Sequence, residues 1–258
     1  MIERKTVTEL ARKFDIDEYS ILREYMQLLF LRDFYQITDS ANVFFKGGTL
    51  IHLLLRSFRF SEDLDFTADI SKTEIKNMIR STVEKISRET AGLECELMSE
   101  DVRSLVHRLK FPTDLSIRPL TVRIEMSLRE KPLTRKTSVI ETEFPVSPYP
   151  LVVHCDLEEV LAEKIRAILT RKQGRDLFDL WYLFSKGVKL NEKYVVNKMR
   201  FYKKEYDRSV LIKTVEEIPA GSLKDDLEKF LPRSFRKMIG ELKASVIDKL
   251  NALTLESD

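Results

Sequence analysis

The sequence predicts an α+β fold class: residues 1–154 form an N-terminal helical arm followed, from about residue 36, by an α+β part, and residues 155–258 form an all-helical domain. Three observations predict it. Short β-like runs are confined to the stretch between Asn42 and Val153, one well-capped helix interrupts them, and the residues after Asp156 keep apolar side chains at helical spacing.

Taken in order, Thr8-Glu9-Leu10-Ala11-Arg12-Lys13 forms a short first helix and Tyr19 to Tyr35 a longer, more apolar one. The strands follow as Val43 to Phe45, Leu64 to Phe66, Leu93 to Met98, Leu105 to Phe111, Val122 to Leu128 and Val139 to Phe144. Between them, Ser71 with Glu74 three residues on makes a capping box, and Ile75, Met78, Ile79, Val83 and Ile86 then repeat at helical spacing. Pro145, Pro148 and Pro150 break the pattern before Leu151-Val152-Val153, and everything beyond Asp156 reads as helix. No internal repeat or low-complexity tract is present.

A chain of 258 residues with 33% charged and 43% hydrophobic residues buries a sizeable core under a heavily solvated surface. Forty-four Lys and Arg against forty-two Asp and Glu leave a net charge of +2, so an anionic partner must be held by a local patch rather than by total charge. Charges fill the N-terminal Met1-Ile2-Glu3-Arg4-Lys5-Thr6 where a signal peptide needs an apolar core. The longest apolar runs, broken at Gln27 and His52, are far too short to span a bilayer. The expectation is a cytoplasmic protein without a membrane partner. Cys95 and Cys155 lack metal-ligand spacing, so neither zinc nor a disulfide is expected.

Only seven glycines occur, yet Gly47 and Gly48 are adjacent in Phe45-Lys46-Gly47-Gly48-Thr49-Leu50. With a strand before them and a helix after, they form a strand-to-helix turn whose free amides and helix N-terminus make an anion site, where a side chain would block a phosphate. Shortly after comes Ser61-Glu62-Asp63-Leu64-Asp65-Phe66. Asp63 and Asp65, two apart on a strand, project from one face about 7 Å apart, while Leu64 and Phe66 point into the core. Such a pair suits Mg²⁺ or Mn²⁺, hard cations that take carboxylate and phosphate oxygens together. In Leu120 to Leu128, Val122, Ile124, Met126 and Leu128 share one face and Arg123, Glu125 and Ser127 the other, which makes Glu125 the natural candidate for a third metal ligand. Each motif alone is weak, since most glycine pairs mark only a turn and exposed strands often carry paired aspartates. Their order and close spacing favour the metal and phosphate reading.

A second constellation lies on apolar helix faces. Asp156 caps a helix whose buried side carries Leu157, Leu161, Ile168 and Leu169, and Lys164 falls on that same side. A buried ammonium is costly unless it is paired or faces a polar cleft. The next helix, Arg175 to Phe184, is apolar almost all round yet carries Asp176, which has an N-cap or an Arg175 pairing as an ordinary explanation, and Asp179, which has neither. Lys164 and Asp179 are therefore either a structural salt bridge or a functional pair, with Lys164 on a nucleotide phosphate and Asp179 orienting it or supporting a metal or nucleophile.

Phe45-Lys46-Gly47-Gly48-Thr49, Phe60 through Phe66, Glu159 through Lys164 and Gly174 through Leu180, in that order, resemble the AbiEii/AbiGii toxin family. These are nucleotidyltransferase-like proteins related to the polymerase-β superfamily and found as toxins of type IV toxin-antitoxin or abortive-infection systems. The resemblance covers about residues 40–185. It implies a nucleotidyltransferase-like mixed sheet with flanking helices followed by a helical domain. It implies Mg²⁺ bound by Asp63 and Asp65, nucleotide contact through Gly47, Gly48, Thr49, Ser61 and Lys164, and catalytic roles for Asp63, Asp65, Lys164 and Asp179. Some relatives transfer nucleotides from a nucleoside triphosphate to the 3′ end of tRNA; in some, a cognate antitoxin phosphorylates the hydroxyl that matches Ser61. Glu125 stands where related enzymes often have Asp.

The leading expectation is thus a metal-dependent nucleotidyltransferase toxin with an RNA acceptor and a possible cognate antitoxin partner. Nucleotidylation of a protein, or nucleotide or nucleic-acid binding without turnover, are the alternatives. For RNA, Lys186, Lys189, Lys193, Lys198, Arg200, Lys203, Lys204, Arg208 and Lys213 outnumber Glu192, Glu205 and Asp207, with Phe201, Tyr202 and Tyr206 interleaved as stacking platforms; Phe201 is expected to face the core instead. Arg59 is a further candidate for phosphate contact. His52, His107 and His154 show no ligand pattern, and His52 is expected to be a packed histidine. Phosphate cradle, carboxylate pair and lysine are expected to meet in one cleft.

Overall fold

A computed structural model describes residues 2–255 and divides the chain into two compact units, Met1–Cys155 and Asp156–Asp258. The first unit opens with α1 (Arg4–Phe14) and α2 (Glu18–Phe34), the latter started by the Asp17 carboxylate accepting from the Ser20 amide at 2.8 Å. A 3₁₀ turn over Thr38–Asn42 leads to β1 (Val43–Lys46), α3 (Gly47–Leu55), β2 (Asp63–Ala68) and α4 (Lys72–Ser87). Strands β3 (Glu94–Asp101), β4 (Ser104–Thr113), β5 (Ser116–Ser127), β6 (Lys136–Val139) and β7 (Leu151–His154) complete it. The expected Ser71–Glu74 capping box starts α4.

The strands form a seven-stranded mixed sheet in the order β3-β4-β5-β2-β1-β7-β6, with β2 parallel to β5 and β1 parallel to β7. One face is the core. Leu64 and Phe66 of β2, Val122, Ile124 and Met126 of β5 and Phe45 of β1 are buried completely, and Phe66 meets Phe30, Phe34 and Phe45 with ring centroids 6.3, 5.6 and 5.4 Å away. Because side chains alternate along a strand, this burial turns Asp63, Asp65, Arg123 and Glu125 to the opposite face. One strand differs from expectation. The run expected at Val139 to Phe144 ends at Val139, and the paired residues lie before it, from Lys136; Ile140 makes one further bond to the Pro150 carbonyl before the proline-rich stretch carries the chain away.

The second unit contains α5 (Leu157–Arg171), α6 (Gly174–Ser185), α7 (Glu192–Arg200), α8 (Arg208–Glu217), α9 (Ala220–Leu227), a 3₁₀ segment (Arg233–Gly240) and α10 (Leu242–Leu255). The Asp156 side chain accepts from the Glu158 amide and caps α5, as expected. Gly174 starts α6 where α9 packs so tightly that a Cβ would stand 3.0 Å from Leu223, and its amide donates to Asp226 at 2.8 Å. Phe201, expected in the core, is instead 54% exposed, at the start of the turn that follows the end of α7 at Arg200. Among the described residues no helix is long and apolar enough to cross a membrane.

Candidate active site

The glycine pair answers to a close neighbour. Gly47 has φ +79°, a left-handed conformation that costs an L side chain about 1–2 kcal/mol. A Cβ there would also stand 3.0 Å from the Asp65 Cβ and closer still to its Oδ2. Gly47 is therefore where the backbone opening α3 meets an Asp65 carboxylate, and the bare backbone is what lets the two approach. Gly48 is buried in the first turn of the same helix. Thr49 is fully buried, and its hydroxyl donates to the Asp63 carbonyl, so its side chain ties α3 to β2.

Asp63 and Asp65 are half-exposed on the open face. The sheet register sets Lys46, Asp65, Glu125 and Val106 in one row, and Asp63, Arg123, Arg108 and Glu96 in the next. Glu125 thus starts one strand, about 4.8 Å, from Asp65, but its carboxylate is engaged by Arg123 at 2.9 Å. Among the described residues no group of three His, Cys, Asp or Glu side chains is gathered closely enough to hold a metal ion. The donor set the chain does offer, two carboxylates on one strand face beside a helix N-terminus, fits Mg²⁺, which typically binds one or two carboxylates and takes its other ligands from phosphate and water. The third-ligand role expected of Glu125 requires release from Arg123.

Ser61 lies in the loop between α3 and β2, two residues ahead of Asp63, and this loop is held from α2. The Gln27 amide donates to the Ser61 carbonyl at 3.0 Å, Arg23 pairs with Glu62 at 3.1 Å, and Glu24 meets His52 at 2.8 Å while the other nitrogen of that imidazole contacts the Ser57 carbonyl. His52 is a packed histidine, as expected. Burial by itself would lower its pKa, but the Glu24 carboxylate and the Ser57 carbonyl outweigh that and raise it. Arg59 is buried, with Nη1 donating to the Phe60 carbonyl at 3.1 Å. The sequence did not single out Arg23, Glu24 and Gln27 as the residues that hold this loop. The visible signal was Gln27 interrupting the longest apolar run, a buried amide in need of a partner.

In the second unit Lys164 is buried, with Nζ 2.6 Å from Asp179 and 3.2 Å from Asp176. Asp176, expected to cap its helix or pair with Arg175, instead accepts from Lys164 and takes a two-point contact from Arg171 at 2.7 and 2.8 Å. Burial pushes its pKa up, but Lys164 and Arg171 overcome this and hold it far below the usual carboxylate range. On another side of α5, Lys198, expected in a nucleic-acid-binding patch, is buried between Glu159 at 2.7 Å and Glu163 at 3.0 Å. Arg208 of the same expected patch pairs with Glu192 at 2.6 Å.

The family model described as nucleotidyl transferase AbiEii toxin, type IV toxin-antitoxin system, matches residues 29–253. Among solved structures, the chain is similar to JHP933 from Helicobacter pylori at 18% identity, TM-score 0.58, covering 93% of this chain and 97% of that one. It is similar also to MenT4, the nucleotidyltransferase toxin Rv2826c from Mycobacterium tuberculosis, at 18% identity, TM-score 0.55, covering 98% and 90%. At that identity the likeness is one of fold. A search of curated protein sequences gives no match. With the family model spanning both units, the chain belongs to the AbiEii family of nucleotidyltransferase toxins of type IV toxin-antitoxin systems.

Proposed function

We propose that the protein transfers a nucleotide from a nucleoside triphosphate to an RNA acceptor, the 3′ end of tRNA, in the cytoplasm and in a divalent-cation-dependent reaction, under the control of a cognate antitoxin. The observation that carries the reading is the packing of the Gly47 turn against Asp65 on the face where Asp63 also projects. A helix N-terminus with free amides and a carboxylate pair thereby adjoin, which is what a triphosphate and its cation require.

In this reading the amides of Gly47, Gly48 and Thr49 and the Ser61 hydroxyl receive the phosphates, and Asp63 and Asp65 hold Mg²⁺ or Mn²⁺. The cation, when bound, aligns the attacking 3′ hydroxyl and neutralises charge on the departing pyrophosphate. The backbone amides meet the phosphate oxygens without reorganising, because the turn is already set by Gly47 and by the Thr49 tether. Asp65 keeps its carboxylate against the turn, so the residues that would hold the cation lie beside the amides that would receive the phosphates. Glu125 joins as third ligand if Arg123 turns to the substrate. The motif resemblance gives Lys164 and Asp179 a part in catalysis as a phosphate-directed ammonium and its orienting carboxylate.

For the acceptor, Lys186, Lys189, Lys193, Arg200, Lys203, Lys204 and Lys213 remain exposed after Lys198 and Arg208 are set aside, and the exposed Phe201 accompanies them. That combination suits a single-stranded RNA end, with charge for the backbone and a ring for a base. Incubation with Mg²⁺, each labelled nucleoside triphosphate and total tRNA tests the proposal. Label on tRNA is the expected result, and label on protein or on nothing refutes the RNA reading.

A further inference from the structure

We infer that α2 is a positioning element for nucleotide binding, with Gln27 and Arg23 holding the Ser61-Glu62 segment in its phosphate-receiving conformation; this rests on the reading of Gly47, Ser61, Asp63 and Asp65 given above. Helix α2 is buried nearly all round, and at such positions a polar side chain is costly unless it is bonded. Gln27 is 1% exposed, and it donates across to a backbone carbonyl of a loop thirty-four residues on. An apolar side chain would fill the same space. What the amide adds is a fixed place for Ser61.

Three side chains of α2 converge on that loop. Arg23, Glu24 and Gln27 lie at i, i+1 and i+4, on neighbouring parts of one helix face. Arg23 reaches Glu62, Glu24 reaches Ser57 through His52, and Gln27 reaches Ser61. At its far end the loop runs directly into Asp63, whose carbonyl is held by Thr49. The segment carrying the proposed phosphate contact is therefore held on both sides, from α2 and from α3, within two residues of the first proposed metal ligand. Losing one hydrogen bond to a charged phosphate lowers affinity by roughly tenfold. Small losses of anchoring in α2 are thus expected to reach the nucleotide without touching it.

The test is titration calorimetry of non-hydrolysable α,β-methylene analogues of ATP, GTP, CTP and UTP with Mg²⁺ into the full chain, alongside thermal melts. The native protein binds at least one analogue. Gln27→Met, which keeps the volume and removes the donor, weakens that binding by about tenfold; in turnover it raises KM for the nucleotide while leaving kcat nearly unchanged. Arg23→Gln weakens binding by a smaller factor, and Arg23→Lys, which keeps the charge opposite Glu62, restores most of it. Variants that melt lower yet bind with native affinity show a purely structural role and overturn the inference. Should Gln27→Met fail to fold, the Arg23→Gln and Arg23→Lys pair decides by the same criterion. Absence of binding by the native chain overturns this inference together with the reading of the site, whereas native binding that no α2 variant alters overturns this inference alone.

Discussion

Gly47 is the residue on which the site's geometry turns, because its positive φ and its contact with Asp65 are both satisfied only without a side chain. Gly47→Ala is expected to cost about 1–2 kcal/mol in backbone strain and, by pushing the Asp65 carboxylate aside, to abolish nucleotide transfer in a protein that still melts cooperatively. A variant that keeps full transfer would show that the carboxylate has no need of its place. The glycine pair was legible in the sequence as a close approach, but the partner was not. Sequence spacing suggested a phosphate, whereas the nearest neighbour within the chain is a carboxylate supplied by a strand some eighteen residues later, a contact fixed only once β1 and β2 pair. His52 yields a second outcome at this scale. Folding raises its pKa above the ordinary 6.5, so its stabilisation through Glu24 is complete below pH 6.5 and is lost as pH rises through the higher folded-state value. Melting temperature measured against pH should therefore fall above 6.5 by an increment that His52→Gln lacks.

At the scale of the element, α5 is held by ion pairs on more than one side, Lys164 to Asp176 and Asp179 of α6, and Glu159 and Glu163 to Lys198 of α7. Helical periodicity was enough to turn Lys164 inward and to mark Asp179 as its partner. It could not identify Glu159 as equally buried, because a helix packed on several sides has no single apolar stripe to break. Nor could it remove Lys198 from an apparent basic surface, since charge counted along a sequence carries no information about which ammonium meets a carboxylate from another helix. Removing one member of a buried pair commonly costs about 3–5 kcal/mol, because the remaining charge is left uncompensated. Asp176→Asn is expected to fall in that range by urea denaturation, since it weakens Lys164 and Arg171 together. Lys164→Ala should likewise lower stability by leaving Asp176 and Asp179 facing each other. If Lys164→Ala melts as the native protein does, the ion cluster is not what secures α5 to α6.

For the molecule as a whole, the division into an α+β part and a helical part was legible from texture alone, because period-two and period-3.6 patterns do not mix. Strand order was not. The β5-β2-β1-β7 centre of the sheet is built from two parallel pairings between segments far apart in sequence, β2 with β5 and β1 with β7, around the antiparallel β1–β2 pair, and the alternation within each strand specifies its buried face but not its neighbour. That pairing sets Glu125 beside Asp65, and it also sets Arg123 beside Asp63, the cation that engages Glu125 here. In the proposed reading, the chemistry rests on two carboxylates beside a glycine turn, Asp63, Asp65 and Gly47. The direct test is transfer of labelled nucleotide to tRNA in Mg²⁺ by the native chain and by Asp63→Ala, with a thermal melt of each. The account predicts labelled tRNA from the native protein, none from Asp63→Ala, and melting temperatures within about 2 °C of each other, since a half-exposed carboxylate contributes little to the core; transfer that survives in Asp63→Ala would contradict it.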